Sequence, residues 1–281
     1  MSTKIKMKRH ESFSIREGWI TKAIKAIEDN PKIFTSSDAT DILGIGSNMV
    51  KSLKYWILAT GIAEEENRNL SLTPLGEIIK NNDLYLEDIF SYFLIHITML
   101  LNVEDAYIFN AFFNHCNLNS FSKKDIYEQL TNILNSNDLE FNENILQDEI
   151  NMIIKTYTID ETIDNPENNF ICPLSELNLI RKIDKDSYEK NKPKYRELNY
   201  LIVYYSLILI MNDKDYISID DLLKIDNSPV KLLNLDKNLL NEYLDEMKRN
   251  DLIIINKTAG LNMIYLNKRL SLLDIANEYY R

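Results

Sequence analysis

From Arg16 to Glu28 the apolar residues Trp19, Ile20, Ala23, Ile24 and Ile27 recur at the spacing that lines one helix face, and Pro31 ends the pattern. A second periodic stretch, Ser37 to Gly61, predicts a short helix, a tight turn at Gly44-Ile45-Gly46, and a longer helix. Asp38 or Ser37 suits the first cap and Ser47 or Asn48 the second, because a short side-chain oxygen accepts the orphan N–H groups of a first turn. Gly44 suits the left-handed residue that ends a helix. In the longer helix Met49, Val50, Leu53, Trp56 and Ile57 form the apolar stripe, which directs Ser47, Asn48, Lys51, Ser52, Lys54 and Tyr55 to solvent. The alternating stretches Ile62–Glu66 and Leu70–Thr73, around the polar turn Asn67-Arg68-Asn69, predict a hairpin, and Thr73-Pro74 opens the next helix.

The same patterns continue down the chain. Leu86–Leu101 and Ala106–Asn114 read as core helices carrying Phe90, Phe93, Phe109, Phe112 and Phe113. A helix follows Ser122 through Leu134, with Ser122 and Asp125 as a capping signature, and another runs from about Asn144 to Tyr157. Asn165–Asn169 reads as a loop, Phe170–Ile183 as irregular, and the charged stretch Asp184–Tyr195 as a linker. Leu198–Met211, Ser218–Leu223 and Asp236–Arg249 read as helices, Leu252–Ile255 pairs with Met263–Leu266, and Ser271–Tyr280 closes as a helix. Helix, short helix, helix, hairpin therefore occurs at both ends. The expected fold is mainly α with small β wings, built as tandem winged-helix-like (helix-turn-helix) domains. Its expected domains are 1–82, 83–190 (helical, with the order of a degenerate winged helix, and a linker) and 191–281.

Composition narrows the setting. Of 281 residues 45% are hydrophobic and 27% charged, with six glycines and six prolines, which fits a folded, largely helical protein. Two cysteines, Cys116 and Cys172, make no disulfide framework, and a cytoplasmic location is expected. The apolar runs Ile89–Leu101 and Leu201–Met211 are shorter than the roughly 20 residues a bilayer needs, so no membrane partner is expected.

Net charge is −11, which argues against sequence-independent nucleic-acid binding by the whole surface. Residues 1–60 hold ten Lys/Arg and six Asp/Glu, while the remainder holds 22 against 37. One end of the chain can therefore face phosphates. An amide, hydroxyls and cations on an exposed helix after a tight turn match what base and phosphate contact require. The candidate DNA-contacting residues are Asn48, Lys51, Ser52, Lys54 and Tyr55, with Lys8, Arg9, Arg16 and Lys22 extending the positive surface and Arg68 at the hairpin tip. Glu64-Glu65-Glu66 works against that hairpin lying on phosphates. The matching C-terminal helix offers Asn238, Asn241, Glu242, Asp245, Glu246 and Lys248, a mostly acidic face suited to protein contact, including a homodimer.

Other chemistry is thinly represented. Gly44-Ile45-Gly46-Ser47 lacks the lysine and the preceding strand of a phosphate loop. His115, Cys116 and Cys172 lack metal-ligand spacing, and His96 in an apolar run reads as a core histidine. Asp160, Glu161 and Asp164 read as a solvated acidic loop with no histidine beside them. No catalytic motif, metal or cofactor is expected.

The stretches Arg9–Lys22 (RHESFSIREGWITK), Leu43–Ile62 (LGIGSNMVKSLKYWILATGI), Leu72–Ile79 (LTPLGEII), Asp83–Asp88 (DLYLED) and Cys172–Ile180 (CPLSELNLI) resemble the bacterial family of unknown function numbered 4007. That family typically carries a basic residue where this chain has Ser47, which removes one phosphate contact. The resemblance implies association with genes of DNA phosphorothioation-type modification and anti-phage defence, including sulfurtransferases similar to phosphoadenosine-phosphosulfate reductases. It implies no catalytic residues. The expected role is a non-catalytic DNA-binding or DNA-targeting component of such a system, with double-stranded DNA and other proteins of the system as partners. The alternatives are an adaptor that scaffolds a partner enzyme and a transcription regulator of a defence operon.

Overall fold

The computed structural model describes residues 3–159, 171–212, 214–258 and 261–281; the expected loop Asn165–Asn169 and acidic cluster Asp160, Glu161 and Asp164 lie outside them. The chain forms two compact units, Met1–Asn191 and Lys192–Arg281. It combines helices with small, mostly antiparallel sheets.

In the first unit a two-residue strand β1 (Thr3–Lys4) leads an N-terminal arm to α1 (Trp19–Asp29). The helix starts three residues later than the apolar period suggests, because Gly18 adopts a left-handed conformation (φ 73°). After a 3-10 turn come α2 (Ala39–Leu43) and α3 (Ser47–Ala59), joined through left-handed Gly44 (φ 62°). Neither expected cap forms. The carboxylate of Asp38 accepts from the Ser37 hydroxyl instead of the helix, and Gly46 precedes α3. The strands β2 (Ala63–Glu66) and β3 (Asn69–Leu72) pair antiparallel, with Asn67 and Arg68 both at positive φ in the primed turn that matches strand twist. Leu70 N–H donates to the Pro31 carbonyl (2.8 Å), tying β3 to the segment between α1 and α2. Thr73 caps α4 (Pro74–Asn82) by accepting from Gly76 N–H.

The remainder of this unit comprises α5 (Ile89–Leu101), α6 (Tyr107–His115), β4 (Ser120–Phe121), α7 (Lys123–Ser136), β5 (Leu139–Glu140) and α8 (Glu143–Tyr157). A 3-10 turn, Pro173–Leu177, then leads to β6 (Ile180–Asp184) and β7 (Ser187–Lys190). Ser122 and Asp125 form the anticipated capping box, and Asn142 caps α8. The expected linker Asp184–Tyr195 is partly sheet, since β7 pairs with both β4 and β6. Residues 1–82 and 83–190 share one core. Trp56 of α3 lies edge-on to Phe109 of α6 (6.0 Å), and Asn102 donates to the Leu58 carbonyl at the end of α3 (3.1 Å). His96 is a satisfied core histidine, 2.6 Å from the Tyr157 hydroxyl.

The second unit contains α9 (Tyr200–Met211), β8 (Tyr216–Ser218), α10 (Ile219–Leu222), α11 (Pro229–Leu232), α12 (Lys237–Arg249), β9 (Ile253–Thr258), β10 (Leu261–Leu266) and α13 (Leu272–Tyr279). Asn199, Ser218, Ser228, Asp236 and Ser271 each cap the helix that follows. The sheet order is β8-β10-β9, and in the first unit it is β4-β7-β6. In both, a short strand after the first helix pairs with the last strand of a later hairpin. The Leu70–Pro31 bond repeats that connection at the N-terminus. A similar order of elements thus occurs three times: helix, extended segment, two or three further helices, hairpin.

Candidate nucleic-acid interface

The candidate site is built on α3. Leu53, Trp56 and Ile57 are buried as the stripe requires, while Ser47, Asn48 and Lys51 are exposed. Lys51 makes no ion pair among the described residues, and the same holds for Arg68, exposed in the hairpin turn. Lys54 is half-buried and pairs with Glu65 of β2 (2.6 Å), which fastens the hairpin to the helix.

Two expected contacts are corrected. Ser52 and Tyr55 are buried, because the N-terminal arm and the loop before α6 cover a second side of α3. The Ser52 hydroxyl and the Trp56 indole N–H both donate to the Phe13 carbonyl (3.3 and 2.8 Å). The Tyr55 hydroxyl donates to the Asp105 carbonyl (3.1 Å), and burial, then nearby Glu149 and Asp105, pushes its pKa well above the ordinary tyrosine value. These side chains position the helix.

The arm's cations stay exposed, but each is paired within the protein. Lys6 pairs with Glu104, Arg9 with Asp105, and Lys8 with Asp148 (2.8 Å). The Asp148 carboxylate raises the Lys8 pKa by hydrogen bond and by charge. The Lys8 N–H also donates to Glu149 (2.5 Å), a buried carboxylate that faces Nε2 of buried His10 at 3.4 Å. His10 accepts from Ser12 N–H through Nδ1 and stacks on Trp56. Arg16 lies over the rings of Phe13 and Trp19 (5.6 Å to each centroid), a cation–π arrangement. Lys22 donates to the Leu43 carbonyl (2.6 Å), satisfying the C-terminus of α2. Each cation of the expected stripe, from Lys8 and Arg9 through Arg16 and Lys22, thus has a contact within the protein, while Lys8 and Arg9 remain exposed to solvent. Asn48, Lys51 and Arg68 remain turned outward, and Lys54 lies between helix and hairpin.

Glu104, Asp105, Asp148, Glu149 and His10 complete this arrangement. Nothing local in the sequence marks them, because their partners are 96 to 141 residues away. The charge partition also sharpens. Residues 192–281 hold thirteen Lys/Arg and thirteen Asp/Glu, so the C-terminal unit is neutral and the net −15 beyond residue 60 resides in 61–191.

The thiols offer no nucleophile at neutral pH: burial raises the Cys116 pKa to about 11 and that of Cys172 to about 12. No group of three or more His, Cys, Asp or Glu among the described residues is placed to hold a metal ion. No helix among them is long and apolar enough to cross a membrane.

With this geometry in hand, a family profile described as protein of unknown function (DUF4007) matches residues 7–280. The chain belongs to the DUF4007 family. Two solved structures are similar over 98% of this chain and 87% of theirs. One is a magnesium ion-bound SspB crystal structure (TM-score 0.85, 21% identity), the other an SspB crystal structure (TM-score 0.83, 20% identity). At that identity the likeness speaks for the fold. No curated protein matches the chain. The magnesium is that other protein's.

Proposed function

We propose that this DUF4007 protein is a non-catalytic DNA-binding or DNA-targeting component of a bacterial anti-phage defence or phosphorothioation-type modification system, working in the cytoplasm. In this reading the three repeats are winged-helix-like modules and α3 is the recognition helix of the first. The observation that carries it is the division of α3 into two roles. One side is clamped by the arm and the core, while Ser47, Asn48 and Lys51 stay uncovered beside a hairpin whose tip carries Arg68. Asn48 has the amide to read a base edge, and Lys51 and Arg68 have charges for phosphates. The link to phosphorothioation and defence rests on the family resemblance.

The test is duplex-DNA binding by fluorescence anisotropy at low and moderate salt, using the full chain, Lys51→Glu and Arg68→Glu. Each substitution should weaken binding across unrelated sequences and lower the salt slope by about 1. Equal binding by all three proteins, or none by any, removes α3 as the interface. A second reading, an adaptor that holds a partner enzyme, is favoured by the concentration of negative charge in residues 61–191.

A further inference from the structure

A groove of about 1050 Å³ opens on the first unit between α1, α2, the loop before α5 and the segment beginning at Ile171. None of its lining residues belongs to α3 or to the β2–β3 hairpin. Three large apolar side chains from separate parts of the sequence converge on it while exposed to solvent: Ile42 (59%), Tyr85 (65%) and Ile171 (44%). Scattered exposed apolar residues are ordinary, but several lining one concavity mark a contact surface.

The rim fixes the charge of the occupant. Glu17, Asp29, Glu87 and Glu176 line the groove, are exposed, and have no ion-pair partner among the described residues. The two lysines that also line it are engaged within the protein. Lys22 satisfies the Leu43 carbonyl, and Lys25 lies over the Tyr85 ring, 4.9 Å from its centroid. Apolar anchors surrounded by unanswered carboxylates repel a phosphate backbone and suit a ligand with apolar side chains flanked by cations.

We infer that this groove is a docking site for a segment of a partner protein that combines an aliphatic or aromatic anchor with flanking Arg or Lys. Ile42, Tyr85 and Ile171 offer the exposed apolar contacts for the anchor; Glu17, Glu87 and Glu176 take the cations. The site is independent of the α3 interface, so either can be disabled alone.

The test uses the full chain and two fluorescent amphipathic peptides, one pairing Leu and Trp with Arg, the other with Glu in place of every Arg. The Arg peptide should bind and weaken as ionic strength rises, and the Glu peptide should not bind. Ile42→Asp, Tyr85→Ala and Glu87→Lys should each weaken the Arg peptide by about tenfold or more, as central interface positions do. Lys51→Glu and Glu128→Lys, on α3 and α7, should leave it unchanged. The substituted side chains are exposed, so thermal melting should match the parent protein. Binding of both peptides or of neither, or equal sensitivity to Glu128→Lys, overturns the assignment. Self-association in sedimentation velocity that Ile42→Asp abolishes would identify a second copy as the occupant and overturn it too.

Discussion

Glu149 is the buried carboxylate among the arm's contacts, and removing it gives a measurable test of how α3 is held. The carboxylate is only 4% exposed, accepts the Lys8 N–H at 2.5 Å and faces His10 Nε2 at 3.4 Å. Because Nδ1 of His10 accepts from Ser12, a neutral ring carries its proton on Nε2, which lies near Glu149 without a hydrogen bond to it. Glu149→Ala deletes the hydrogen bond that the Lys8 N–H donates to a carboxylate, about 1.5–3 kcal/mol. That loss falls on the arm. Glu149→Gln keeps an acceptor of the same shape and should cost roughly half as much.

Limited trypsinolysis reads the arm directly, since Lys6, Lys8 and Arg9 are cleavage sites engaged by Glu104, Asp148 and Asp105. Where cleavage follows the open population, a loss of about 1.5–3 kcal/mol speeds it by about 10- to 100-fold. Glu149→Ala should therefore lose the arm rapidly, Glu149→Gln more slowly. If cleavage of the alanine variant stays within a few-fold of the parent, the buried pair does not hold the arm, and the burial of Ser52 and Tyr55 needs another cause.

Tyr55→Phe removes the hydroxyl that meets the Asp105 carbonyl and should lower stability by about 0.5–1.5 kcal/mol in denaturant titration. It should leave DNA affinity unchanged; a loss of affinity without a loss of stability would return Tyr55 to the interface. Acid should loosen the helix caps. Ser122 N–H and hydroxyl donors depress the Asp125 pKa, Ser271 donors depress that of Asp274, and Leu239 N–H with Lys192 depresses that of Asp236. A depressed folded pKa contributes stability above the unfolded value of about 3.9 and loses it as pH falls through the folded value. The thermal midpoint should drop below about pH 4, and Asp236→Asn should flatten the drop for the second unit.

What was readable in the sequence was local. Thr73-Pro74, Ser122 with Asp125, and Ser271 opening the last helix cap their helices through atoms two or three residues apart. The apolar periods of α1, α3 and α12 placed their buried sides. The misreadings share one cause. A helical stripe locates the first surface packed on a helix, and α3 has two. The second is the arm, held by residues whose partners lie on α8 and in the loop before α6, so Ser52 and Tyr55 read as solvent-facing. The same distance hid the fate of Lys8 and Arg9. At Gly46 a glycine took the capping position that a neighbouring serine or asparagine was expected to fill, leaving the first turn of α3 without a side-chain acceptor.

These pairings change what the proposed interface has to do. The ten cations of residues 1–60 suggested a broad positive surface, yet Lys6 and Arg9 answer carboxylates of the loop before α6, Lys8 answers one on α8, and Lys22 answers a carbonyl. Lys51 and Arg68 are the cations left unpaired on α3 and its hairpin. Two phosphate contacts release about two counterions, a salt slope of roughly −2, whereas six to ten contacts typify a protein that grips DNA by charge. Charge alone is then too weak to hold this chain on duplex DNA against a net −11. Strength must come from base-edge contacts, for which Asn48 is the exposed donor and acceptor, or from a second protein that brings its own cations. A basic partner docked in the Ile42–Tyr85 groove would supply them while cancelling the carboxylates that oppose DNA. On this argument the isolated chain binds duplex weakly, and its affinity rises when such a partner is added.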